Sequence, residues 1–342
     1  MTFEELVGQK LVLGVEGTSA APETIDLFQK THAGGLILFE RNFVSPQRLR
    51  EFISDLETAL GKRLLVMVDH EGGRVVRFKE GVTLFPDAQT MANRGQVEDV
   101  RRQGETEAEE LGFLGINVNL APVLDVLTRN TNPVIGNRSY GGDPELVAKM
   151  GAARIEGMQS KGLSACAKHY PGLGEAKLDP HTELPVVRQP MKTIRNVHLF
   201  PFLKAFGAHV DCVMSSHAVY PEWDPSLKRP ATFSRKIIHD SLRLEFGFPG
   251  VILTDDLKMG AAAKLASGRE TACFAAKAGH DLLLICSDRK AQEEAFDALL
   301  RAYKKKELKL SELEESVERI QRLRDKRRER FLKKSQESVL EP

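Results

Sequence analysis

The sequence predicts a closed (β/α)8 barrel of the TIM type, on three observations. Eight short apolar runs recur along 342 residues. Each run is continuously apolar rather than alternating, as strands buried on both faces of a parallel sheet require. Longer helix-like segments separate the runs, which is the βα repeat of a barrel or a doubly wound sheet. The open sheet is the lesser alternative, because no G-x-G-x-x-G follows the first run.

In chain order the expected strands are KLVLGV from Lys10, GGLILF from Gly34, LLVMVD from Leu64 and INVNLAPVLDV from Ile116. They continue with GLSACAKH from Gly162, VDCVMSSH from Val210, GVILTDD from Gly250 and HDLLLICS from His280. The helices between them carry start signals. In SPQRLREFISDLETALGK, Ser45 is placed to cap and Pro46 occupies the first helical position. After the eighth unit the chain turns basic. SELEESVERIQRLRDKRRERFLKK reads as a C-terminal helix at about 311–334, opened by a Ser311–Glu314 capping box. Leu313, Val317, Ile320 and Leu323 make an apolar stripe along it. Interspersed acids favour a solvated helix end over a nucleic-acid arm. No internal repeat or linker is visible, so residues 1–342 read as one domain.

The composition fits: 42% hydrophobic and 28% charged residues suit a soluble protein with a sizeable core. A formal net charge of +1 supplies no global field towards nucleic acid or membrane. No apolar stretch is long enough to span a bilayer, and MTFEELVGQK lacks the features of a secretory signal. Cys166, Cys212, Cys273 and Cys286 form no CxxC pair and read as buried reduced thiols. The expectation is a cytoplasmic monomer.

In a barrel, chemistry sits at the C-terminal ends of the strands. Those ends are where this chain gathers charge. Strand three ends in Asp69, followed by HEGGRVVRF with Arg74 and Arg77. Strand four ends near Asp125, ahead of GNRSYGG with Arg138. Strand five ends in Lys168 and His169, strand six in SSH with His217, strand seven in Asp255 and Asp256. Some of these have plainer readings. Asp69 is also placed to cap a turn before Gly72 and Gly73. Asp125 reads first as a loop-fixing residue and Arg74 as solvated or paired with an acid. His70 is expected to face away from the barrel axis, and His217 is open between a core histidine and a site wall. A metal centre is disfavoured: the first strand ends GVEG rather than HxH, and no HxxxH or HExxH occurs. No cofactor is implied.

KHYPGLGEAKLDPH, from Lys168 to His181, resembles the K-H-[FY]-P-G-x-G…D-x-H signature of family 3 glycoside hydrolases, in their β-N-acetylhexosaminidase branch. VDHEGGRVVRF, GNRSYG and TDDLKMG resemble that branch's other blocks, in its order. The resemblance spans nearly the whole chain. It implies a (β/α)8 barrel, removal of terminal β-N-acetylglucosamine, and muropeptide recycling. By position it implies Asp255 as nucleophile, His181 as acid/base and Asp179 as the carboxylate orienting that histidine. It also implies Asp69, Arg77, Arg138, Lys168 and His169 as the residues holding the terminal sugar. The chain departs from the family at Leu173, where histidine is usual, and at Pro180, where serine is usual.

The residue types suit the chemistry. Retaining hydrolysis needs a nucleophile below the anomeric carbon and an acid at the leaving oxygen. A histidine serves as acid when an acceptor fixes its tautomer. Pro180 restricts Asp179 to extended backbone, and side chains two apart then point the same way. Two rivals remain open on sequence: a glycoside phosphorylase on the same scaffold, and a non-catalytic sugar-binding protein.

Overall fold

The computed structural model describes residues 1–128, 132–176, 184–225, 229–259 and 268–340, with side chains as far as residue 326. The eight strands are β1 (Leu11–Gly14), β2 (Gly35–Leu38), β3 (Leu65–Val68), β4 (Val118–Asn119), β5 (Ser164–Tyr170), β6 (Cys212–Ser215), β7 (Val251–Leu253) and β8 (Leu283–Ile285). Each lies inside the apolar run that predicted it, except that β5 continues one residue further, to Tyr170. They pair in parallel in the order β7-β6-β5-β4-β3-β2-β1-β8. The β7–β8 seam is closed by a parallel bridge between Leu253 and Leu282. Across it the Asp281 N–H donates to Ile252 O at 2.8 Å and the Thr254 N–H to Leu282 O at 3.1 Å. The architecture is therefore the (β/α)8 barrel.

Two local expectations change. The fourth run makes only a two-residue strand, because Pro122 has no N–H to give the ladder. Pairing resumes one step later, as a bridge between Val123 and Lys168. The C-terminal helix spans Leu310–Leu340, so Ser311 lies inside its first turn and is not its cap. Leu308 and Leu313 are both buried, and the Leu313 N–H donates to Lys309 O at 3.3 Å. Docking of those two leucines sets where the helix starts. By contrast, Ser45 caps the helix Pro46–Leu60 as expected, accepting from the Arg48 N–H.

Successive strand residues point alternately into the barrel and out to the helices. The inner set includes Val12, Ile37, Leu65, Met67, Val118, Leu120, Cys166, Cys212, Met214, Val251, Leu253, Leu282 and Leu284. Ile320 and Leu323 of the C-terminal helix join this cluster, so that helix packs against the barrel interior. A polar clasp reinforces the seat. Asp281, fully buried, accepts from Arg243, from the Ile252 N–H, and from Ser316 and Arg319 of the helix. All four cysteines are free; Cys166, Cys212 and Cys286 are buried, while Cys273 is only partly so. Among the described residues, no helix is long and apolar enough to cross a membrane.

Candidate active site

The two-residue alternation that fills the barrel also builds its mouth. On β3 the inward positions run Leu65, Met67 and then Asp69. On β5 they run Cys166 and then Lys168. On β7 they run Val251, Leu253 and then Asp255. Each strand thus carries an apolar interior and ends on an inward-facing charge. These ends meet in a cavity of about 490 Å³ lined by Asp69, Glu71, Arg74, Arg77, Arg138, Lys168, His169, Leu173, Met214 and Asp255, among others. A larger cavity, about 1360 Å³, includes Gln9, Lys62, Asn117 and Arg324 in its lining. Those residues precede the strands or belong to the C-terminal helix, and the larger cavity contains none of the candidate residues. The candidate residues gather at the smaller one.

The floor is a fixed network. The Lys168 ammonium lies 2.6 Å from Asp69 Oδ1 and 2.6 Å from Glu71 Oε1. Arg138 grips Glu71 with its Nε and Nη2, both at 2.7 Å. Arg77 Nη2 approaches Asp69 Oδ2 at 3.5 Å. Burial alone would push Glu71 up, but the Arg138 and Lys168 charges hold its carboxyl far below the usual range. Burial likewise pushes Lys168 down, and Asp69 and Glu71 more than reverse that, so the ammonium is held above its ordinary value.

Asp255 stands opposite this network. Its Oδ1 accepts the Asp256 N–H at 2.8 Å. Burial raises its pKa, yet His217, His169, the Asp256 N–H and Lys168 together bring it below the ordinary carboxylate value. It is an oriented anion. Asp256 is itself anchored: its Oδ1 accepts the Cys286 N–H from the end of β8 at 3.1 Å, and its carbonyl lies 3.0 Å from His217 Nε2. A carbonyl can only accept, so Nε2 carries a proton. His217 Nδ1 lies 2.7 Å from Thr232 Oγ1. Both ring nitrogens are engaged, and His217 is a satisfied histidine behind the site.

Asp125 fixes the loop after β5, as the sequence suggested. Its carboxylate accepts the Leu173 N–H at 2.5 Å and lies 2.7 Å from His169 Nδ1. His169 is thereby held with its other nitrogen available to the cavity. His70 is buried and is not in the cavity lining. Asp69 pairs with Lys168 and Arg77 rather than capping a turn. Arg74 is exposed, but it is neither free nor acid-paired; its Nη2 donates to the carbonyls of Pro133, Val134 and Ile135.

Six expected site residues therefore line one cavity: Asp69, Arg77, Arg138, Lys168, His169 and Asp255. Asp179 and His181 lie outside the described residues. Sequence reading gave Glu71 no role. The signal was present, since Glu71 continues the inward parity of Leu65, Met67 and Asp69.

An ionised carboxylate beside a set of donors and acceptors at a barrel mouth is an arrangement that suits a class, the glycoside hydrolases, which must hold hydroxyls and act at an anomeric carbon. Comparison with known proteins narrows the class. The profile of the glycosyl hydrolase family 3 N-terminal domain matches residues 2–323, and the chain belongs to that family. It is 36% identical over 303 residues to a β-hexosaminidase of Idiomarina loihiensis, covering 86% of this chain and 88% of that one. A family 3 β-N-acetylglucosaminidase from Paenibacillus sp. str. FPU-7 superposes with a TM-score of 0.94 at 36% identity, covering 96% of this chain and 63% of that chain. NagZ from Neisseria gonorrhoeae superposes with a TM-score of 0.74 at 28% identity, covering 90% and 96%.

Proposed function

We propose that the chain is a retaining exo-β-N-acetylglucosaminidase, acting through a covalent glycosyl-enzyme on Asp255 with His181 as acid/base. The observation that carries the reading is Asp255 itself, an inward, ionised carboxylate oriented by the Asp256 N–H beside the donor network. Binding alone would not need an oriented anion there. The cavity, about 490 Å³, lies within the range of small-ligand pockets. Asp69, Arg77, Arg138, Lys168 and His169 are assigned to the terminal sugar. Muropeptide-type or chitooligosaccharide substrates and a cytoplasmic setting complete the reading; the free thiols support the setting.

In the first step the Asp255 carboxylate attacks the anomeric carbon as the glycosidic C–O bond breaks. His181 delivers its proton to the departing oxygen. In the second step the neutral imidazole takes a proton from water, the hydroxide bonds to the anomeric carbon, and the ester to Asp255 breaks. Two inversions give retention. Asp179 orients the imidazole and holds its tautomer.

The test is His181→Ala on two substrates. Cleavage of a disaccharide needs a protonated leaving group and should fall by ~10²–10⁴-fold. An activated aryl N-acetyl-β-glucosaminide should lose far less in its first step and show a burst before slow turnover. Equal loss on both without a burst would move the acid/base to another residue, Glu175 first. Release of sugar 1-phosphate in phosphate buffer would make the enzyme a phosphorylase instead.

A further inference from the structure

The cavity floor contains one carboxylate that neither the nucleophile nor the sugar assignments use. Glu71 is 4% exposed, and its two oxygens receive three charged contacts: Arg138 Nε, Arg138 Nη2 and Lys168 Nζ, at 2.7, 2.7 and 2.6 Å. We infer that Glu71 is a positioning residue of the sugar site, the shared counter-ion that selects which N–H groups of Lys168 and Arg138 face the substrate. This rests on the reading that those two cations hold the sugar.

The donor inventory supports it. An ammonium has three N–H groups. Asp69 and Glu71 take two from Lys168, leaving one for a ligand. A guanidinium has five in a planar fork. Glu71 takes the Nε–Nη2 edge of Arg138 and Val134 O takes one proton of Nη1 at 3.1 Å, which leaves only the far edge of the fork. Without Glu71 both side chains have more donors than partners, and their directions are no longer set.

The fold spends structure on placing this residue. Gly72 and Gly73 have φ of +96° and +57°, and a Cβ on Gly72 would meet Pro86 O at 2.6 Å. That turn brings the chain back so that the Glu71 N–H donates to Val75 O at 2.8 Å. The preceding peptide is clamped as well. His70 O accepts from Asn119 Nδ2 at 2.9 Å and from Arg154 Nη2 at 3.2 Å. Arg154 is in turn held by Glu107, fully buried between the helices Val97–Phe113 and Pro144–Ser160. A buried ion cluster is a poor source of stability, since apolar side chains of similar volume often serve as well. At the floor of the cavity, its value lies in aiming donors.

Glu71→Gln keeps the shape and removes the charge. It should raise KM about 10–100-fold with a much smaller change in kcat, the size expected from weakening charge-assisted hydrogen bonds. It should also introduce an effect that a scaffold role would not. Lys168 loses one of the two carboxylates that oppose its burial, so it deprotonates at lower pH and KM climbs on the alkaline side sooner than in wild type. Glu71→Asp retains the charge and should recover part of KM and most of the pH profile. Wild-type KM and pH profile in folded Glu71→Gln would overturn the inference, as would a lowered Tm with unchanged KM. Should Glu71→Gln not fold, Glu71→Asp decides: raised KM supports the role, wild-type KM overturns it. Lys168→Ala is the control. If it leaves KM unchanged, the sugar assignment itself fails; if it raises KM while the Glu71 variants do not, only the role of Glu71 fails.

Discussion

Replacing His217 by Gln and by Leu separates two things the residue does for Asp255. Its Nε2–H holds the Asp256 carbonyl at 3.0 Å, which keeps the Asp256 N–H aimed at the Asp255 carboxylate. Its electrostatic influence is the largest of those that bring Asp255 below its ordinary pKa. His217 is 2% exposed, so water cannot take over its bonds. Leucine removes both bonds, although Thr232 Oγ1 keeps Ser215 Oγ and Ser216 O and the Asp256 carbonyl keeps the Met259 N–H. At ~0.5–1.5 kcal/mol for each lost hydrogen bond, the cost is ~1–3 kcal/mol, read as a lower urea midpoint. Glutamine can still donate to Asp256 O and should cost less than half as much. Both variants lose the imidazole's effect on Asp255, so its carboxyl moves up. The acid limb of kcat/KM reports the free enzyme's essential carboxylate, and it should move to higher pH in both. Leucine should also lower kcat, because the anion is no longer oriented. An acid limb that stays in place in both variants would show that His217 does not lower the Asp255 pKa.

Two further outcomes follow from buried charge. Burial takes His280 down to about 3 and His70 down to about 4, whereas both titrate near 6.5 when unfolded. The unfolded chain therefore binds up to two more protons between pH 6.5 and 4. Stability should be full above pH 6.5 and fall on acidification, by up to about 3 kcal/mol per pH unit near pH 5; urea midpoints that stay constant from pH 7 to 5 would contradict this. Asp281→Ala leaves Arg243 and Arg319 without their shared carboxylate and loosens the C-terminal helix from the barrel. It should cost ~3–5 kcal/mol, and an unchanged thermal midpoint would show that the clasp is dispensable.

The fold was legible because each strand is a continuous apolar run, and most of the site because strand parity survives to the last residue. Asp69, Lys168 and Asp255 are simply the next inward positions after Met67, Cys166 and Leu253. What stayed hidden depends on partners far along the chain. Arg74 read as solvated or acid-paired because its carbonyl partners are about sixty residues away and no composition rule marks a carbonyl. His217 was undecided because its neutral partner, Thr232, comes from the short 3-10 turn Ala231–Phe233 after β6. Glu71 was lost for another reason: its glycines announced a turn, and a turn is normally where side chains leave the core. Of the two departures from the family pattern, Pro180 lies outside the described residues. Leu173 lines the cavity while its N–H anchors the loop on Asp125, a backbone role any residue but proline can fill.

The bond from Asp255 to the sugar is read directly with a fluorinated N-acetylglucosaminyl donor that loads the enzyme faster than water clears it, followed by proteolysis and tandem mass spectrometry. One sugar residue should be added to the peptide containing Asp255, localised on that side chain and absent from Asp255→Ala. An adduct on Asp256, or steady turnover with an inverted product and no adduct at all, would contradict it.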